Sequence, residues 1–155
     1  KPLTLCVSDF DRAAPHGTGN IKAGLNYAMS LHAYVLAHQN GYAENMFLDS
    51  ATRTYVEETG GANFLFVTKD KQYRGMKVAE RQIKLEEVKD FAECGLCGTA
   101  AVISPVGKIV DHGREICLPS GMQKMGPVIQ KLYDTLTGIQ LGTIDAPEGW
   151  IRKIK

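Results

Sequence analysis

The chain has 155 residues, enough for one ordinary domain with a real core and too many for a disulfide-stapled miniprotein. With 44% hydrophobic, 23% charged and 8% aromatic residues, it is too apolar for a disordered segment and too evenly mixed for a fibrous one. Its 18 basic and 17 acidic residues leave a net charge of +1, so no general field draws it to nucleic acid or to an acidic membrane. Any anion it binds must be held by local donors.

Four cysteines are too sparse for a disulfide framework, and a reducing, cytoplasmic setting is expected. No stretch approaches the run of about 20 apolar residues that a bilayer crossing needs, so no membrane contact is expected. The first residues do not form a signal peptide. They open without Met, directly in strand-like sequence (PLTLCVSD), and further residues upstream are therefore expected.

Residues 3–8 alternate apolar and small polar side chains and read as a strand; a loop over 9–19 follows, with Pro15, Gly17 and Gly19. Over 23–40, Leu25, Ala28, Met29, Leu31, Val35 and Leu36 recur at helical spacing and Gly41 stops the helix. Residues 45–49, 54–58 and 62–68 are short, rich in aromatic or branched side chains and punctuated by SATR and TGG, which predicts a small antiparallel meander. Residues 76–83 read as another strand, and 84–92 as a short amphipathic helix with its acids early. A turn over 94–98 leads into three strand-like runs broken by Pro105, Gly107 and Gly113. Helical spacing returns over 125–136, ending near Gly138. Strands outnumber helices and are mostly sequential, which predicts a mixed α/β or α+β domain without internal repeats.

Three places carry candidate chemistry. Lys22, in GTGNIKAGLNYA, sits among Gly17, Gly19, Ala23 and Gly24, which strip bulk from the backbone as the close approach of a flat ligand requires. A lysine amine whose pKa is depressed by desolvation is a nucleophile toward aldehydes, although most lysines at a helix start are simply solvated. Glu57 and Glu58 adjoin on a predicted strand and so point to opposite faces, with Gly60 and Gly61 opening room beside whichever faces in. An inward carboxylate calls for a protonated nitrogen; two solvated acids at a strand end are the plainer alternative. The turn Cys97-Gly98-Thr99-Ala100 offers backbone N–H groups and a hydroxyl to an anion, or is an ordinary tight turn. The overlapping CGLC has the spacing of a redox dithiol, but it precedes a strand rather than opening a helix. Without a second such pair or grouped histidines, no metal site is expected. An aldehyde-reactive lysine, an acid for a ring nitrogen and an anion cradle are together what pyridoxal 5'-phosphate needs.

These segments resemble the C-terminal, larger domain of the branched-chain amino acid aminotransferases, the fold type IV pyridoxal-phosphate enzymes. RAAPHGTGNIKAGLNYAMSL is similar to the segment bearing that family's cofactor lysine, VEETGGANFLFVTKD to the one bearing its pyridine-binding glutamate, and CGTAAVISPVGKI to its phosphate and carboxylate turn. GPVIQKLYDTLTGIQLG resembles its final helix, so the likeness runs through nearly the whole chain in order.

The resemblance implies a pseudo-barrel α/β domain and a Schiff base on Lys22, which also shuttles the proton. It further implies a Tyr27 hydrogen bond to the cofactor's phenolic oxygen, Glu58 on the pyridine nitrogen, and Thr99 on the phosphate. Thr99 and Ala100 would offer N–H groups to the substrate carboxylate. Many relatives carry Thr where Gly61 stands, which leaves only backbone contact at that position. A segment normally following FVTKD is missing near 69–74, as is the family's N-terminal domain.

The implied reaction is ping-pong transfer of an amino group between branched-chain L-amino acids and 2-oxoglutarate, with glutamate as the other amino donor, in a cytoplasmic homodimer. D-amino acid aminotransferase and aminodeoxychorismate lyase activities are alternatives within the fold, and a CGLC dithiol or non-catalytic domain is the alternative outside it.

Overall fold

Alternating apolar residues in short runs and two helices with small or apolar inner faces assemble around one six-stranded mixed sheet. The computed structural model describes residues 1–70 and 76–152. In chain order the elements are β1 (Leu3–Val7), α1 (Gly24–Gln39), β2 (Glu44–Met46), β3 (Asn63–Val67), a 3-10 turn (Leu85–Asp90), β4 (Glu93–Gly98), β5 (Val102–Asp111), β6 (Arg114–Cys117) and α2 (Pro127–Leu141). The sheet runs β2-β1-β5-β4-β3, with β6 on β5. β1 is parallel to both β2 and β5, and the remaining pairs are antiparallel. The mixed class expected from the sequence is the one observed.

β1, α1 and β2 form a strand–helix–parallel strand unit, in which α1 lays Ala33 and Ala37 against the sheet. Small residues there let the helix approach closely. Gly41 (φ 81°) closes α1 in the left-handed region, and Tyr42 N–H donates back to the Ala37 carbonyl.

The expected meander forms in part. Residues 47–49 pair antiparallel with 55–58, through Phe47 N–H to the Glu58 carbonyl, Glu57 N–H to the Phe47 carbonyl and Asp49 N–H to the Tyr55 carbonyl, and Glu58 bridges Asn63. The outer runs also take partners distant in sequence, β2 on β1 and β3 on β4. Residues 76–83 form no strand: Val78 is 95% exposed, and the run joins the fold at Ile83, whose carbonyl accepts the Val56 N–H and whose side chain packs on the core. The 84–92 helix is the 3-10 turn, whose Val88 is fully buried. The interruption expected near 69–74 falls largely on residues outside the described ones.

Two further expectations change on the C-terminal side. Residues 94–98 belong to β4 rather than to a turn, and β5 runs unbroken through Pro105 and Gly107. β1 pairs with β5 only from Val106 onward, so a proline at 105 interrupts at most one ladder. Leu3 pairs with Val106 and Thr4 with Lys108, which makes Gly107 the extra residue of a bulge. The bulge allows Val106 and Ile109, three apart, to enter the same core with Leu5, Met46, Val88, Cys94 and Leu96. α2 likewise continues past Gly138 to Gly142 (φ 73°). Gly138 is inside the helix because a Cβ there would stand 2.6 Å from Ile144, which folds back over it.

The opposite face of β4 holds α2. A side chain at Gly95 would press Ile103 and Ile129, so its absence seats the helix on the sheet. Glu93 is fully buried, and its carboxylate accepts the N–H groups of Val128 (3.2 Å) and Ile129 (2.9 Å) at the start of α2. These donors lack partners within the helix, and the positive end of the helix favours the acid. Glu93→Ala orphans both and should lower stability by about 3 kcal/mol, read as a shifted urea midpoint. Gly126→Ala should also destabilise, since its Cβ collides with the Glu93 carboxyl group.

At the β5–β6 turn, His112 bonds Asp111 through Nδ1 (2.7 Å) and Asp9 through Nε2 (2.8 Å), tying the hairpin to the loop after β1. Hydrogen bonds to Asp111 first and Asp9 second raise the imidazole pKa above 6.5. The stability this contributes is full below that ordinary value and fades as pH rises through the raised one. His112→Asn should therefore lose more against the native chain at about pH 5.5 than at about pH 9, compared by urea unfolding.

Candidate active site

The site forms where the 8–23 loop meets the turn after residue 58, and a buried arginine joins them. Arg12, 7% exposed, donates through Nε to the Thr59 carbonyl (3.2 Å), through one terminal nitrogen to Gly60 (2.7 Å) and through the other to Asn26 of α1 (3.1 Å). Its Nε also lies 3.3 Å from Glu58 Oε1, and its guanidinium carbon lies 5.3 Å from the centre of the Tyr27 ring. Five fixed donors on a planar cation suit this many-sided contact in a way a lysine would not.

Asn26, 4% exposed, holds the lysine's own turn. Its side-chain amide donates to the carbonyls of Thr18 and Ile21, each at 2.6 Å, so that Lys22 stands at the crest just before α1. Gly19 is required here, because a Cβ would stand 2.5 Å from the Ala14 carbonyl oxygen. Across the site, the buried Thr59 hydroxyl accepts the Ala62 N–H (3.0 Å) and donates to its carbonyl (3.1 Å), closing the turn that carries Gly60 and Gly61.

Lys22, Tyr27, Glu58 and Gly61 thus line a single cleft of about 230 Å³, together with Arg12 and Asn26. Glu58 faces the cleft while its neighbour Glu57 is exposed. Lys22 is itself exposed, so the desolvation expected around it is not supplied by the described residues. Thr99 and Ala100 do not line the cleft. They sit exposed in the β4–β5 turn, adjoining its rim where a Cβ on Gly98 would touch the Gly61 carbonyl at 3.4 Å.

Arg12 and Asn26 were missed by sequence reasoning. Both stand inside the quoted lysine segment, but a lone arginine in a polar loop looks solvated until its carbonyl partners are known. CGLC proves structural. Cys94 and Cys97 are three apart on β4 and face opposite sides of the sheet, about 10 Å apart along the strand, beyond the reach of a disulfide. Burial pushes the Cys94 thiol far above its usual range.

Comparison with known proteins fits this geometry. No protein-family model matches the chain. It is 40% identical to the branched-chain-amino-acid aminotransferase of Haemophilus influenzae, over 99% of this chain and 53% of that protein, and 37% identical to that of Helicobacter pylori, over 94% and 48%. Among solved structures it is similar to the branched-chain amino acid aminotransferase from Escherichia coli (TM-score 0.77, 26% identity, 96% of this chain and 55% of that one). It is also similar to the T.th. branched-chain amino acid aminotransferase complexed with N-(5'-phosphopyridoxyl)-L-glutamate (TM-score 0.78, 25% identity, 96% and 55%). The fold is that of the fold type IV aminotransferases. By sequence the chain is a homologue of the branched-chain-amino-acid aminotransferases, and it spans about half the length of the curated relatives it matches.

Thiol reactivity separates the cysteines. At mildly alkaline pH the exposed Cys117 should react first with an aromatic disulfide reagent, and Cys94 only after unfolding. A native Cys94–Cys97 disulfide found by mass spectrometry would contradict the strand geometry.

Proposed function

We propose that the chain is the cofactor-binding domain of a pyridoxal 5'-phosphate-dependent aminotransferase that moves amino groups between branched-chain L-amino acids and 2-oxoglutarate. The observation that carries this reading is the convergence of Lys22, Tyr27, Glu58 and Gly61, drawn from segments more than 30 residues apart, on one cleft. Bound pyridoxal phosphate supplies an aldehyde for the amino group and a ring that withdraws electrons.

The residues fit that group. Among the described residues no hydrogen-bond donor reaches Glu58 Oε2, so that oxygen is free to accept from a protonated ring nitrogen. The buried Oδ1 of Asn26 has no partner either, leaving an acceptor at the cleft wall. A Cβ at Gly61, which lines the cleft, would meet nothing within 4 Å, consistent with space for a flat molecule.

In this reading Lys22 Nζ would hold the cofactor by its aldehyde group and would carry the proton of the substrate's α-carbon, as base and then as acid. Tyr27 O–H holds the ring's phenolic oxygen. Glu58 keeps the ring nitrogen protonated, and the turn with Thr99 and Ala100 supplies hydroxyl and N–H donors to the phosphate and the substrate carboxylate.

The remaining parts come from polypeptide beyond this stretch. The alignment with the Haemophilus protein covers 183 positions, more than the 155 residues here, so that relative carries about 30 internal residues without counterparts. We assign their place to the region near 69–74. α1 is apolar on its outer side as well, with Leu25, Leu31 and Val35 exposed. A helix hydrophobic all round is normally covered, which supports further domain or partner contact, in a cytoplasmic homodimer.

Complete polypeptide loaded with the cofactor should be yellow and, after borohydride reduction, carry it on Lys22. Lys22→Ala should lower turnover with leucine at least about a hundredfold, and normal turnover would overturn the assignment. Assays with paired L- and D-amino donors separate it from the D-amino acid aminotransferase and aminodeoxychorismate lyase activities.

A further inference from the structure

We infer that Arg12 is a positioning residue of the reaction: it acts through Glu58 and Tyr27, holding the carboxylate aimed while locking the ring of Tyr27 to the same cation. The inference rests on the function proposed above.

The geometry separates two roles for the guanidinium. Its three hydrogen bonds go to carbonyl oxygens of Thr59, Gly60 and Asn26, which join the acid's turn to the lysine's helix. Those bonds satisfy donors but leave the positive charge uncompensated. The compensation comes from Glu58, whose Oε1 stands 3.3 Å from Nε. No other carboxylate pairs with Arg12 among the described residues; the Glu44 carboxyl group flanks Gly60 instead.

Glu58 is the half-exposed partner, with 39% of its side chain accessible against 8% for Arg12. A carboxylate so placed would otherwise turn freely toward water. Anchoring one oxygen on a buried cation fixes the plane of the group and leaves the other oxygen toward the cleft. Tyr27 is held on the second side, its ring 5.3 Å from the cation and its backbone adjoining the Asn26 carbonyl that Arg12 grips. One side chain therefore sets the separation between the residue proposed for the ring nitrogen and the residue proposed for the phenolic oxygen. The other titratable group lining the cleft is Lys22.

The test uses complete cofactor-loaded polypeptide with Arg12→Met, Arg12→Lys, Glu58→Gln and the double variant Arg12→Met/Glu58→Gln, each first checked for a native unfolding transition. Arg12→Met should weaken cofactor affinity about ten- to a hundredfold and lower kcat more than it raises KM. It should also move the pH midpoint of the bound cofactor's visible band upward, because a Glu58 carboxylate no longer aimed holds the ring nitrogen protonated less well and the ring then withdraws less charge. Arg12→Lys should restore the midpoint in large part, since it restores the charge, and the affinity only partly, since it lacks the fork of donors.

In the Glu58→Gln background, replacing Arg12 should move the midpoint little further. A midpoint unchanged in Arg12→Met, or shifts that add fully in the double variant, would reduce Arg12 to a structural brace and overturn the inference. If Arg12→Met does not fold, Arg12→Lys against Glu58→Gln carries the same comparison. Failure of the native polypeptide to show any cofactor band would instead overturn the proposed function.

Discussion

Burying a guanidinium costs several kcal/mol unless its donors and its charge both find partners, and the region around the cleft is organised by that requirement at Arg12. Three carbonyls and one carboxylate answer it, and each lies on a piece of chain that must then stay where it is. The start of α1, the Thr59–Ala62 turn and the 8–23 loop all meet at this one side chain. They are joined through polar bonds to a side chain that is itself nearly buried, where such bonds are strongest and most costly to lose. Arg53 repeats the device nearer the surface, donating to the Ser8 and Phe10 carbonyls and pairing with Asp11.

The sheet serves the same end by a different force. α1 rests on it through two alanines, β1 and β2 fix both ends of the crossover, and a bulge at Gly107 turns Val106 and Ile109 into one core. On the other side of β4, Gly95 and Glu93 seat α2, one by absence of a side chain and one by its charge. Hydrophobic burial sets the layers, and a few polar groups fix how the helices sit on them.

Sequence periodicity was enough for α1 and β1, whose patterns are local and long. It found the local pairing of 47–49 with 55–58 but not the further partners of β2 and β3, which lie elsewhere in the chain, since no local pattern carries that information. Pro105, Gly107 and Gly138 read as breaks but stand inside elements, where a ladder is absent, a bulge needs an extra residue, or Ile144 needs room. Residues 76–83 alternate as a strand should, yet form none and meet the fold at Ile83. That Lys22, Glu58 and Gly61 share a cleft was legible because their chemistry or smallness is unusual in context, whereas Tyr27 came from the family resemblance alone. Arg12 and Asn26 were not legible, since their significance lies in which backbone carbonyls they reach, and side-chain identity does not encode that.

The bond from Arg12 to Thr59 spans 47 residues of chain. Its two ends meet only when the elements between them are in place, so the cleft belongs to the assembled domain rather than to any one segment. A partly folded chain can hold α1 and still have no pocket. Any molecule that occupies the cleft therefore binds only the finished domain, and its binding energy is added to the stability of the whole assembly rather than to one segment.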